Sequence, residues 1–207
     1  MANTVLITGF GPFPGAPVNP TEALVMELVR RQEPSAPQVR RVAHVFHVSY
    51  ETVDRELPRL IERETPDALV MFGLAARSRQ MRIETLARNA LSSSIPDAAG
   101  RFPGVATIAA EAPTTLAMPA PVDRLLAAAR STGIPVRRSR DAGGYLCNYL
   151  CWRAAEAAHA GRLQLATFVH VPLVDRPATA RARPALTFDG LLRAGEAIVR
   201  AAAAAVR

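Results

Sequence analysis

Three short runs constrain this chain more than anything else in it: Thr4-Val5-Leu6-Ile7-Thr8, Ala68-Leu69-Val70-Met71-Phe72 and Leu165-Ala166-Thr167-Phe168-Val169-His170-Val171. Each is almost continuously apolar, so neither face of the strand it forms can be left to water. Strands buried on both faces need cover on both, and the stretches between the runs supply it. Asn19-Pro20-Thr21-Glu22 reads as a helix start, with Asn19 as N-cap, Pro20 at the first helical position and Glu22 reaching back. That helix is predicted to run to about Gln32 and stop before Pro34. Ser49 is placed to cap a second helix carrying Val53, Leu57, Leu60 and Ile61, which Pro58 should kink or split. Pro121 to Thr132, closed by Gly133, and Leu186 to about Ala205 are two further helices. Strands over Arg40 to Val48 and Ile134 to Ser139 complete the alternation. The pattern predicts a single-domain three-layer α/β/α sandwich over residues 1–207, with a mixed, mostly parallel sheet. No linker, internal repeat or second core interrupts it.

Composition narrows the function classes. The chain is 49% hydrophobic and 21% charged, which is globular rather than disordered. No apolar run is long and uncharged enough to span a bilayer, and the C-terminal alanine run is broken by Arg193, Glu196 and Arg200. Nothing basic precedes the first apolar run, so a signal peptide is not expected. Two cysteines one helical turn apart cannot comfortably form a disulfide, and the expected compartment is the cytoplasm. The net charge of +7 raises nucleic-acid binding. Against it, the arginines are scattered, and 5% aromatic content is too sparse for a base-stacking platform. No lysine occurs, and arginine and alanine richness without lysine reads as a genome-composition bias.

Chemistry concentrates at Asp141-Ala142-Gly143-Gly144-Tyr145-Leu146-Cys147-Asn148. The glycines permit the sharp turn that leads into a helix whose positions Cys147, Leu150, Cys151, Ala154 and Ala158 form one face. A thiol in a first helical turn sits near unpaired N–H groups and the positive end of the dipole, both of which favour thiolate and can hold an oxyanion. A lone helical cysteine is more often a small buried hydrophobe, the reading that Cys151 takes. Cys147 escapes it only with a base and an orienting carboxylate from elsewhere. His170, near the end of an apolar strand, is placed where α/β sites gather, although a core histidine would look the same. Glu84, among Ile83, Thr85, Leu86 and Ala87, reads more readily as a helix-surface charge than as a group held for a purpose. Phe10 and Phe13, on the loop after the first strand, are either core plugs or walls of a small apolar pocket. His44 and His47 fall on opposite strand faces and are not a metal pair. His159 reads as a C-terminal capping side chain. A metal site from Cys147, Cys151 and His170 lacks the usual turn spacing of structural zinc, and no metal is expected. No phosphate-loop or dinucleotide fingerprint is present.

Taken in order, these fragments resemble the pyrrolidone carboxyl peptidases (pyroglutamyl peptidase type I). The resemblance rests on Ile7 to Phe13, Asn19-Pro20-Thr21, Gly73-Leu74-Ala75, Ile95-Pro96-Asp97, Ala142 to Asn148 and Phe168 to Pro172, and runs through nearly the whole chain. It implies a cysteine exopeptidase that removes N-terminal pyroglutamyl residues from peptides through a thioester, without cofactor, in dimers or tetramers. By position it makes Cys147 the nucleophile, His170 the general base and acid, and Glu84 the residue orienting the imidazole. It makes Phe10 and Phe13 the walls around the lactam ring, with Ile95, Tyr145 and Leu146 as further pocket positions. The chain departs from the family at Gly11 and Pro14, at Arg77-Ser78, and at Ser94, where the family carries arginine. Arg77, Arg79 and Arg82 are nearby candidates to replace that arginine. A second expectation follows from the departures: a retargeted or non-catalytic homologue that binds a small cyclic amide or a protein partner.

Overall fold

The computed structural model describes residues 3–31, 39–174 and 186–206. Strand β1 (Asn3–Phe10) leads through a loop to α1 (Pro20–Arg30), and β2 (Val39–Phe46) to α2 (Tyr50–Glu64). Then come β3 (Ala68–Leu74), β4 (Met81–Glu84), the short pair β5 (Leu86–Arg88) and β6 (Thr115–Ala117), and α3 (Val122–Arg130). Strand β7 (Val136–Ser139) feeds α4 (Leu146–His159), β8 (Leu165–Val171) is the last strand, and α5 (Phe188–Ala203) closes the chain. Six strands form one sheet in the order β2-β1-β3-β8-β4-β7. Within this sheet all pairings are parallel except β4 with β8, so two parallel blocks meet at one antiparallel seam.

Alternation along the central strands divides the interior in two. Val5, Ile7, Val70, Phe72 and Val169 pack with Leu24 and Leu28 of α1, Leu125 of α3 and Ile198 of α5. Leu6, Phe10, Leu69, Met71 and Phe168 pack on the other side with Leu57 and Leu60 of α2 and with Leu150, Cys151 and Trp152 of α4. The mixed, mostly parallel α/β/α sandwich is therefore the observed architecture.

The local signals hold in outline and differ in detail. Asn19 caps α1 by accepting from Thr21 N, but Glu22 is exposed; Thr21 instead makes the buried link, donating to Phe10 O and accepting from Phe10 N. The expected extension to Gln32 lies outside the described residues, and Arg31 is the C-cap. Ser49 caps α2 through Thr52 N, and Pro58 does not split that helix. Val53, Leu57, Leu60 and Ile61 are all buried, and their packing holds the helix across the missing N–H. His159 does not cap its own helix: its Nε2 lies 3.1 Å from Ala117 O on β6, a strand that periodicity over so short a stretch cannot reveal. No described helix is long and apolar enough to cross a membrane.

Candidate active site

The antiparallel seam brings distant residues together. Across it Arg82 faces His170 and Glu84 faces Phe168, so Arg82, Glu84, Phe168 and His170 leave the sheet on one face. Glu84 is therefore a strand residue, not a helix-surface charge, and it is fully buried. Its Oε1 lies 2.7 Å from His170 Nδ1, and its Oε2 accepts from Asp141 N at 3.2 Å. A carboxylate at that distance accepts a hydrogen bond from Nδ1–H, which keeps the proton on Nδ1 and leaves Nε2, on the far side of the ring, as the free acceptor.

The thiol arrives from the same side. On β3, Gly73 is in register with His170, and a Cβ there would stand 2.4 Å from Phe168 Cζ and 2.8 Å from Cys147 Sγ. The glycine leaves the space in which the sulfur sits, and its backbone is one strand spacing from that of His170. Among the described residues no hydrogen bond joins Sγ to the ring, a looseness common before substrate is bound. Cys147 is partly buried in the first turn of α4, where the N–H groups of Leu146, Cys147 and Asn148 have no helical partners.

The turn before α4 is held by side chains that no local sequence signal marks. Gly143 takes φ +88°, the left-handed conformation its place in the turn needs. Arg88 donates to Gly143 O at 2.9 Å and pairs with Asp141 at 2.8 Å. Asn148, fully buried, accepts from Arg88 N at 2.9 Å and donates to Arg88 O at 2.8 Å and Ala90 O at 3.0 Å. Asn148→Ala leaves these backbone groups without their partner and is expected to cost about 2–3 kcal/mol, read as a lower urea midpoint at unchanged m. Nothing local in the sequence marks this residue, because its partners lie some sixty positions away.

Burial acts against the helix terminus at the thiol. Desolvation, with the Glu84 charge adding to it and Arg82 opposing it, pushes Cys147 up to about 12. That direction runs against the thiolate-favouring expectation: burial and the Glu84 charge both favour the thiol. A raised value means that the thiolate fraction keeps growing with pH through neutrality. Alkylation of Cys147 by iodoacetamide should therefore accelerate steadily from pH 6 to 9, with no plateau below the ordinary thiol value. Rate constants at several pH values check this.

The remaining candidates fall into two groups. Phe10 is buried against Phe46, Phe13 meets the Tyr145 ring at 6.4 Å, and the Tyr145 hydroxyl donates to Pro96 O at 2.9 Å. Ile95 is exposed, as is Ser94, on a loop tied to α2 where Asp97 accepts from Tyr50 N, Ala99 N and Arg101 N. The Leu146 side chain lies in the core with Leu150 and Trp152, so only its backbone can face a ligand. Among the described residues no group of three His, Cys, Asp or Glu side chains is arranged to hold a metal.

A thiol at a helix mouth, beside an imidazole whose other nitrogen is fixed by a buried carboxylate, is the arrangement of α/β/α cysteine hydrolases. The comparisons specify which. The family model described as pyroglutamyl peptidase matches residues 3–206. The chain is 32% identical to the pyrrolidone-carboxylate peptidase of Thermococcus onnurineus over 197 residues, covering 95% of this chain and 96% of that one. It is also 32% identical to the one from Clavibacter michiganensis, covering 96% and 92%. Among solved structures, the pyrrolidone carboxyl peptidase of Thermococcus litoralis superposes with a TM-score of 0.86 at 30% identity, over 97% of this chain and 93% of that one. The pyroglutamyl peptidase I of Bacillus amyloliquefaciens gives 0.84 at 27% identity, over 98% and 97%. The chain belongs to the pyroglutamyl peptidase family, which is a family of cysteine peptidases.

Proposed function

We propose that this chain removes the N-terminal pyroglutamyl residue from peptides, with Cys147 as nucleophile, His170 as base and acid, and Glu84 orienting the imidazole. The observation that carries the reading is the buried Glu84 carboxylate 2.7 Å from His170 Nδ1, with the Cys147 sulfur lodged over Gly73 on the adjoining strand. As Sγ bonds to the pyroglutamyl carbonyl carbon, its proton passes to His170 Nε2. The carbonyl oxygen, now negative, is held by the free N–H groups of the first turn of α4. The C–N bond then breaks, His170 returns the proton to the departing amine, and a thioester remains. Water, deprotonated by the same imidazole, adds to the thioester, and pyroglutamate leaves as the thiol re-forms.

Phe10, Phe13 and Tyr145 suit a neutral lactam, with Ile95 at the rim; a free glutamate would bring a charge into apolar surroundings. The substrate class is thus a peptide blocked at its N-terminus by the lactam. The family matches favour this reading over a non-catalytic binder, and the buried Glu84 adds to that preference, because such a carboxylate is costly to keep without use. We also read the chain as one domain working in the cytoplasm as a dimer or tetramer, which light scattering of the purified protein measures. The test of function is release of aminomethylcoumarin from pyroglutamyl-aminomethylcoumarin and its absence from the glutamyl counterpart. A folded, reduced sample that cleaves neither, or both equally, refutes it.

A further inference from the structure

The Glu84–His170 pair has a third member. Arg82 precedes Glu84 by two residues on β4, and its guanidinium Nη2 lies 3.3 Å from His170 Nδ1 while its Nε lies 3.5 Å from Glu84 Oε1. Nδ1 keeps its proton and donates it to Glu84, so the guanidinium meets the ring edge as a charge and not as a donor to a lone pair. Its Nε is buried with no hydrogen-bond partner among the described residues. An arginine serving the fold alone would be expected to satisfy that group. Here the side chain is held where its charge faces the pair.

We propose that Arg82 is a positioning residue of the thiol chemistry: its cation offsets the buried Glu84 carboxylate and so shields the Cys147 sulfur from that negative charge. The proposal rests on the assignment of Cys147 as nucleophile. The groups acting on or beside the sulfur are Glu84 and Arg82 from β4, Tyr145 at the N-cap of α4 and Cys151 within that helix; Gly73 of β3 adds no side chain, and His170 of β8 lies in register with it. In that set Glu84 opposes thiolate formation and Arg82 assists it. The neighbouring arginines are engaged elsewhere. Arg88 holds Gly143 and Asp141, and Arg137, beside Arg82 across the β4–β7 pairing, is exposed and reaches Arg138 O.

The experiment measures alkylation of Cys147 by neutral iodoacetamide from pH 6 to 9 in the wild-type chain, Arg82→Met and Arg82→Lys, with the modified residue mapped by mass spectrometry. Below the thiol's own titration the rate follows the thiolate fraction, so losing a cation displaces the whole line. Arg82→Met should react about tenfold more slowly at every pH, a displacement of about one unit, and Arg82→Lys should stay within about threefold of wild type. Adding Glu84→Gln to Arg82→Met should restore most of the lost rate. The proposal is overturned if Arg82→Met reacts like wild type, if Met and Lys slow the reaction equally, or if the double variant stays slow. Arg82→Gln replaces Arg82→Met should the latter fail to fold. Because iodoacetamide needs no substrate, the ordering of rates decides the role of Arg82 even where pyroglutamyl hydrolysis fails, and failed hydrolysis refutes only the function proposed above.

Discussion

Cys147→Ser is expected to lower kcat for pyroglutamyl hydrolysis by about 10⁴- to 10⁶-fold, with the folded state intact. The hydroxyl keeps the shape of the side chain, so stability should move by less than about 1 kcal/mol. It does not keep the chemistry. A serine proton is far harder for His170 to take, and the oxygen is a weaker nucleophile toward an amide in a site built around sulfur. Removing the nucleophile of a coupled unit costs nearly as much as removing the whole unit, which sets the upper end of the range. Steady-state kinetics beside thermal melts separate the two effects. A folded variant that keeps a tenth of the activity would show that sulfur is not the attacking atom.

Gly73→Ala is expected to damage stability and activity together. Its methyl group would lie 2.4 Å from Phe168 Cζ and 2.8 Å from Cys147 Sγ, distances no packed structure sustains. Phe168 is fully buried and cannot swing aside, so the strand or the sulfur must move. Overpacking of this kind costs about 1–3 kcal/mol, and the upper end applies here because both neighbours are confined. The displaced sulfur then meets the carbonyl out of line, for which a loss of about 100-fold in kcat is expected. Denaturant melts and kcat measured on the same preparation check both numbers. By contrast, unchanged kcat in a destabilised variant would place the sulfur elsewhere.

These predictions rest on the part of the molecule that was hardest to read from the chain. The three apolar runs became β1, β3 and β8 because strands buried on both faces leave little choice of sequence. Asn19, Ser49 and Gly143 announced their turns because caps and positive φ angles depend on the residue itself. Strand β4 gave no such signal. It has four residues, one of them a buried glutamate and another an arginine, and its apolar content is too small to separate strand from helix. Its antiparallel insertion between β8 and β7 is a tertiary event, and only that insertion buries Glu84 against His170. From the residues alone Glu84 leaned toward a surface charge, whereas the family resemblance gave it a role beside His170.

The thiol follows the same pattern. A first-turn position suggests a lowered value, because helix dipoles are visible in a sequence and desolvation is not. Burial of Cys147 over Gly73, with the Glu84 charge nearby, acts in the opposite sense. Proton removal then falls to His170 as the substrate is attacked, which makes the orientation of that ring by Glu84 more important than the resting charge of the sulfur. Asn148 and Arg88 belong to the same lesson: both hold the cysteine turn through contacts that sequence distance conceals.

The most direct test of this convergence is covalent labelling with pyroglutamyl chloromethyl ketone, in which the attacking sulfur displaces chloride from carbon. We expect a single adduct on Cys147, formed at a saturable rate, slowed by a pyroglutamyl peptide and largely lost in His170→Gln. An adduct on Cys151 or on no cysteine, or labelling no faster than by the glutamyl analogue, would contradict the account.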